Sequence, residues 1–204
     1  MGTPNFGGSD TGRIVPSAGD TLKFFNLTLA TGVFTRTADM TTQSFLATIP
    51  REMMQLHTRP LFAFQVDVAK PSIVGMTPGH DRRVGVITGG SFEGERLRGK
   101  ILPGGSDWQS LRSDGALTLD VRCIMETDDG HLIGMTYRGM RHGPKDVLDR
   151  IGRGEAASPS EYYMRTVPFF ETASEQYGWL NKLVSVAIGH RLATGPVYQV
   201  FEVI

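Results

Sequence analysis

Asp107 and Trp108 follow a Gly-Gly bend at positions 104–105, and they are the first neighbours in this chain that could do chemistry together. A carboxylate can accept a proton or orient a substrate hydroxyl, and an indole beside it can wall an organic pocket. A structural aspartate that holds loop amides is the competing reading. Asp120 and Arg122 share one face of a strand-like run. Such a pair offsets its own desolvation and suits an electrostatic anchor better than a general base. Tyr137 and Arg138 fall on opposite faces of a regular strand, so only one of them can reach a lumen. Tyr163 and Arg165 share a face and offer the donors that hold a phenolate, enolate or carboxylate. An ion pair of Arg165 with Asp120 or Glu171 is the rival use. His142 in Arg-His-Gly-Pro is the histidine best placed for acid–base work near neutral pH. A lone histidine beside a turn is also commonly structural. Trp179 and Asn181 end an aromatic-polar stretch that begins at Tyr162. Aromatic bodies with a few polar tips are what a small-molecule site needs.

These residues need elements to hold them, and strands are what the pattern supplies. Phe62, Phe64, Val66 and Val68 alternate along 61–69, and Leu117, Leu119, Val121, Cys123 and Met125 alternate along 117–125. Further strands are expected at 84–88, where Gly89-Gly90 should break the run, and at 97–102, which Pro103-Gly104-Gly105 ends. Asp114-Gly115 and Asp128-Asp129-Gly130 read as hairpin turns. The segments 131–140, 162–170, 183–190 and 197–204 supply the remaining strands. Pro144 to Ile151 is the clearest helix, with proline in the first turn and Gly152 as the stop. Eight to ten strands with short turns and one short helix predict an all-β antiparallel barrel or sandwich rather than a βαβ fold. Residues 1–57 read as an N-terminal extension or arm, with a strand or short amphipathic segment at 22–29 and a short helix opening at Pro50, and 58–204 as the barrel domain. In a closed sheet the C-terminal strand would have no free edge.

Composition narrows the function classes. Lys plus Arg and Asp plus Glu each total 21, so no net positive field recruits nucleic acid. One cysteine, Cys123, excludes a disulfide within the chain and reads as a small buried side chain. No apolar run is long enough to cross a membrane, and the first residues lack an apolar targeting core. A cytoplasmic protein is the expectation. The five histidines are dispersed without metal-ligand spacing, so neither metal nor cofactor is expected. Gly-Gly-Ser-Phe-Glu-Gly at 89–94 lacks the lysine and spacing of a phosphate-binding loop and opens no helix, so nucleotide binding is rejected.

Several motifs occur in order from Pro60 to Val203. They include Ile-Thr-Gly-Gly-Ser-Phe-Glu-Gly at 87–94, Arg-Leu-Arg-Gly at 96–99 and Leu-Pro-Gly-Gly-Ser-Asp-Trp-Gln at 102–109. Thr-Asp-Asp-Gly at 127–130, Tyr-Arg-Gly at 137–139 and Arg-His-Gly-Pro at 141–144 follow. Pro-Ser-Glu-Tyr-Tyr-Met-Arg-Thr at 159–166, Phe-Glu-Thr at 170–172 and Trp-Leu-Asn at 179–181 complete the set. On these motifs the chain resembles the domain of unknown function 3237 family. The resemblance implies a lipocalin-like antiparallel barrel. It also implies kinship with fungal relatives thought to be cofactor-free isomerases that close a phenolic chalcone onto its enone. That chemistry needs an acceptor to tune the phenol and donors to stabilise the enolate, for which Asp107, Trp108, Arg122, Tyr163 and Arg165 are suited. The expected function is a cofactor-independent isomerase, cyclase or lyase acting on a small phenolic or enone-like metabolite in the lumen. Two alternatives stand beside it: a barrel that binds a small aromatic or acidic molecule without turnover, and a structural barrel module. A homodimer is expected from the exposed barrel faces and the arm.

Overall fold

A computed structural model describes residues 44–204. Ten strands run in chain order: β1 Thr58–Val68, β2 Ser72–Met76, β3 Asp81–Glu93, β4 Arg98–Ile101, β5 Ser106–Leu111, β6 Leu117–Thr127, β7 Leu132–His142, β8 Tyr163–Glu171, β9 Ser185–Leu192 and β10 Gly195–Val203. One α-helix, α1 (Lys145–Gly152), lies between β7 and β8. Every pairing is antiparallel. The path β1-β10-β9-β8-β7-β6 continues through β4 and β5, which both bridge β6 to β3, and β3 closes on β1. The sheet is therefore a closed barrel, and β10 has a neighbour on each side. Among the described residues β2 is the strand left at an edge, paired only with the start of β3.

Strand alternation decides what lies inside. Along β6 the odd-numbered residues from Leu117 to Thr127 are buried. Phe62, Phe64 and Val66 of β1 are buried likewise. Phe62 meets Phe92 and Phe170 edge-on at 5.8 and 5.7 Å, and Phe64 stacks on Tyr198 at 4.6 Å. Aromatic rings thus fill much of the barrel interior.

Three features depart from the expectation. Gly89-Gly90 does not end a strand; β3 runs on to Glu93. Gly90 has φ +147°, and a Cβ there would collide with the Gln65 carbonyl, so glycine lets the strands close at a register shift beside Asp67 and Val68. Strands β2 and β5 are additional to the expected set, because neither shows apolar alternation. Near Pro50 the chain forms a 3-10 turn, Arg51–Met54, in place of an α-helix. The arm expected over residues 1–57, with its segment at 22–29, lies largely outside the described residues.

Candidate functional site

The inward rows of five strands turn polar at one end of the barrel. On β7 the buried series Ile133, Met135, Tyr137 continues through Gly139 to half-buried Arg141. On β5 the inward residues are Asp107, Gln109 and Leu111. On β9 Ala187 and Gly189 lead to Arg191, and on β10 Tyr198 precedes Val200. At the start of β3, Arg83 is register-paired with Gln109. Room for this cluster depends on one glycine. A Cβ on Gly189 would approach Tyr198 Cε1 and Met164 Cγ, both at 2.8 Å.

Asp107 is the centre of the cluster and is 9% exposed. Gln109 Nε2 donates to its Oδ2 at 2.6 Å, and the Asp120 backbone N–H donates to Oδ1 at 3.3 Å. Burial pushes its pKa up to about 6, although those two donors and Arg141 favour the carboxylate. Burial also raises the Tyr137 and Tyr198 phenols, and the negative charge of Asp107 adds to this. Both rings, 5.5 Å apart, therefore keep their protons and remain donors at neutral pH. Burial lowers the Arg141 pKa and the neighbouring Arg191 cation lowers it further, yet a guanidinium retains its charge. Neither Arg141 nor Arg191 forms an ion pair with a carboxylate among the described residues. Arg141 Nε and Arg83 Nε are buried without a hydrogen-bond partner among them. Arg83 does reach Asp81 through its Nη2 at 2.9 Å. At the rim, the Tyr162 hydroxyl accepts the Arg191 backbone N–H at 2.7 Å and bonds Nδ1 of His190 at 2.9 Å.

The residues singled out in the sequence divide between two faces. Asp107 and Tyr137 enter the interior. Trp108, next along β5, points outward, is 51% exposed and lies under the Arg82 guanidinium, so it does not share a pocket with Asp107. Asp120, Arg122, His142, Tyr163 and Arg165 also point outward and line a groove of about 1330 Å3 on the outer face of β6 to β9. There Asp120 pairs with Arg138 at 3.2 Å rather than with Arg122. His142 stacks on Tyr163 at 4.8 Å, and Arg165 lies over the Tyr163 ring and donates to the Met164 carbonyl. Trp179 stacks under Arg96, and Asn181 bonds the backbone of Thr172 in both directions. Cys123 is buried, and its thiol is pushed up to about 12 by desolvation. No group of His, Cys, Asp and Glu side chains among the described residues is arranged to hold a metal ion. No helix among them is long and apolar enough to cross a membrane.

The sequence reading missed Arg141, Arg191, Gln109 and Tyr198. Aromatic walls with a few convergent polar groups are the kind of lining that small-molecule sites use.

Solved and curated proteins share this frame. A structure from Rhodopseudomonas palustris, described as a conserved protein of unknown function, matches with TM-score 0.69 and 33% identity, over 74% of this chain and 98% of that one. A β-barrel-like protein of Acinetobacter baumannii matches with TM-score 0.65 and 38% identity, over 74% and 97%. A UPF0311 protein of Clostridium acetobutylicum is 31% identical over 150 residues, 73% of this chain and 95% of its own length. With residues 56–203 matching the family described as protein of unknown function (DUF3237), the chain belongs to that family.

Proposed function

We propose that the polar end of the barrel binds a small organic anion with an aromatic or otherwise planar body. One observation carries this reading: Arg141 lies beside both the buried Asp107 carboxyl group and a second cation, Arg191, and neither arginine forms an ion pair among the described residues. Half-buried cations are ordinarily paired, and an acidic ligand supplies the missing partner. The Nε of Arg141 offers a free donor to such a group, while Tyr137, Tyr198 and Phe64 form an aromatic wall behind it. Calorimetric titration with a panel of aromatic carboxylates and phenols tests this. Arg141→Met should weaken the best binder at least about tenfold, the scale of a charge-assisted hydrogen bond. The outward Arg138→Met should leave it unchanged. Equal effects of the two variants, or no binder in the panel, would count against an interior anion site.

A second reading rests on Asp107 itself. A carboxyl group with a pKa near 6 beside a cation and two phenols is placed to move a proton at neutral pH. With Arg141 stabilising an enolate or phenolate, it would support cofactor-independent isomerisation, cyclisation or elimination on a phenolic or enone-like metabolite. The expected signature is turnover whose kcat/KM rises through an apparent pKa near 6 and is lost in Asp107→Asn, with ligand affinity retained. Turnover that survives in Asp107→Asn sinks this reading and leaves the binding barrel standing.

A further inference from the structure

The outward face of β7 and β8 is self-complementary, and from its register we infer that it docks a second copy of this chain about a two-fold axis. Val167 and Phe169 lie at its centre, 41% and 52% exposed, large for apolar side chains on a sheet face. Arg165 and Glu171 flank them on β8 at equal distances from the midpoint. A two-fold axis between the stacked sheets, perpendicular to β8, turns the strand over onto its own copy. It lays Val167 on the partner's Phe169 and Arg165 on the partner's Glu171.

The neighbouring strands obey the same operation. Arg138 and Thr136 of β7 stand beside Val167 and Phe169, and Asp120 and Arg122 of β6 stand beside those two. The axis therefore lays Asp120 on the partner's Arg122. One step further out, Met140 beside Arg165 lies over the partner's Gly134, which the side chain of the adjacent Glu171 covers. Along β8 and β6, acid thus meets base and apolar meets apolar, while on β7 the axis lays Arg138 on the partner's Thr136. Neither Arg122, Arg165 nor Glu171 forms an ion pair within the described residues; Arg165 is held by the Tyr163 ring and the Met164 carbonyl without a carboxylate partner. Four strands at about 4.8 Å spacing and seven residues at about 3.4 Å give a flat footprint of roughly 450 Å2 per partner. Corrugation enlarges it to the low end of specific interfaces, which makes the dimer reversible.

Sedimentation velocity over a micromolar concentration series tests the proposal with two charge reversals. Arg165→Glu and Glu171→Arg should each weaken self-association at least about tenfold, because each sets two pairs of like charges in contact. Mixing the two variants should then form a heterodimer as strong as the unmodified dimer, since both contacts between unlike chains are opposite in sign. Misfolding cannot produce that rescue. An unmodified chain that stays monomeric throughout the series overturns the proposal. So does a dimer that tolerates both reversals, or a mixture that fails to associate.

Discussion

Asp107 places a carboxyl group on the inward face of β5, held by Gln109 and the Asp120 backbone N–H. Its carboxyl group is buried, and its folded pKa of about 6 lies above the value near 3.9 of an unfolded chain. Between about pH 4 and 6 the folded state holds a proton that the unfolded state has released, so stability falls as pH rises across that window. The difference between the two values corresponds to about 3 kcal/mol, which the native state forgoes above pH 6. Asp107→Asn removes the titration. Its Tm relative to the unmodified protein should therefore climb by roughly 6–12 °C from pH 4 to pH 7, at the 2–4 °C per kcal/mol of a chain this size. Thermal melts at matched pH measure this, and parallel Tm curves for the two proteins would show that Asp107 is not desolvated. A carboxylate that costs stability at neutral pH, beside an Arg141 that forms no ion pair among the described residues, is the kind of group a functional site retains.

At the scale of elements, parity was the information the sequence carried and the information most easily lost. The alternations in β1 and β6 were legible because their inward rows are apolar without interruption. Asp107 and Tyr137 could be named as chemistry-bearing residues from the sequence. Arg141 and Arg191 could have been reached too. Once Ile133, Met135 and Tyr137 set the inward face of β7, the same step of two passes Gly139 and arrives at Arg141. The same step from Ala187 passes Gly189 to Arg191. What hid β5 is that its inward residues are Asp107 and Gln109, so a short strand inside the barrel reads like a polar loop. On β8 the choice of face was not legible. Tyr163, Val167 and Phe169 on one side are as apolar and aromatic as Met164, Pro168 and Phe170 on the other. Only the closure of the whole sheet decides that the second set is inside, and with that decision Tyr163 and Arg165 move from the lumen to the outer face. Registers between distant strands, such as β1 with β3, depend on long-range pairing that no local pattern encodes.

The whole molecule carries a second buried carboxylate whose behaviour with pH is opposite to that of Asp107. Glu202 lies six residues beyond Pro196 along β10, toward the other end of the barrel, and is 6% exposed. It accepts Arg59 Nε of β1 at 2.5 Å and Arg96 Nη2 from the β3–β4 link at 2.6 Å. Arg96 in turn stacks on Trp179 at 4.0 Å. One carboxylate thus joins the closing strand, the first strand and a neighbouring link. Burial works to raise its pKa, but the hydrogen bonds from Arg96 and Arg59 win and hold it below the usual glutamate value. Its contribution is therefore present above about pH 4.5 and disappears as pH falls through the lower folded value. Since Asp107 costs stability as pH rises from about 4 to 6 and Glu202 costs it as pH falls below about 4.5, their joint contribution peaks near the lower of these limits and declines toward pH 6. Glu202→Gln leaves both arginines without their anion and should cost about 1–2 kcal/mol at pH 5.5. Its Tm gap to the unmodified protein should narrow as pH falls below about 4.5, where the unfolded chain takes up a proton that the folded carboxylate resists. A gap that stays constant as pH falls below about 4.5 would mean that the arginines hold the seam without the carboxylate's charge.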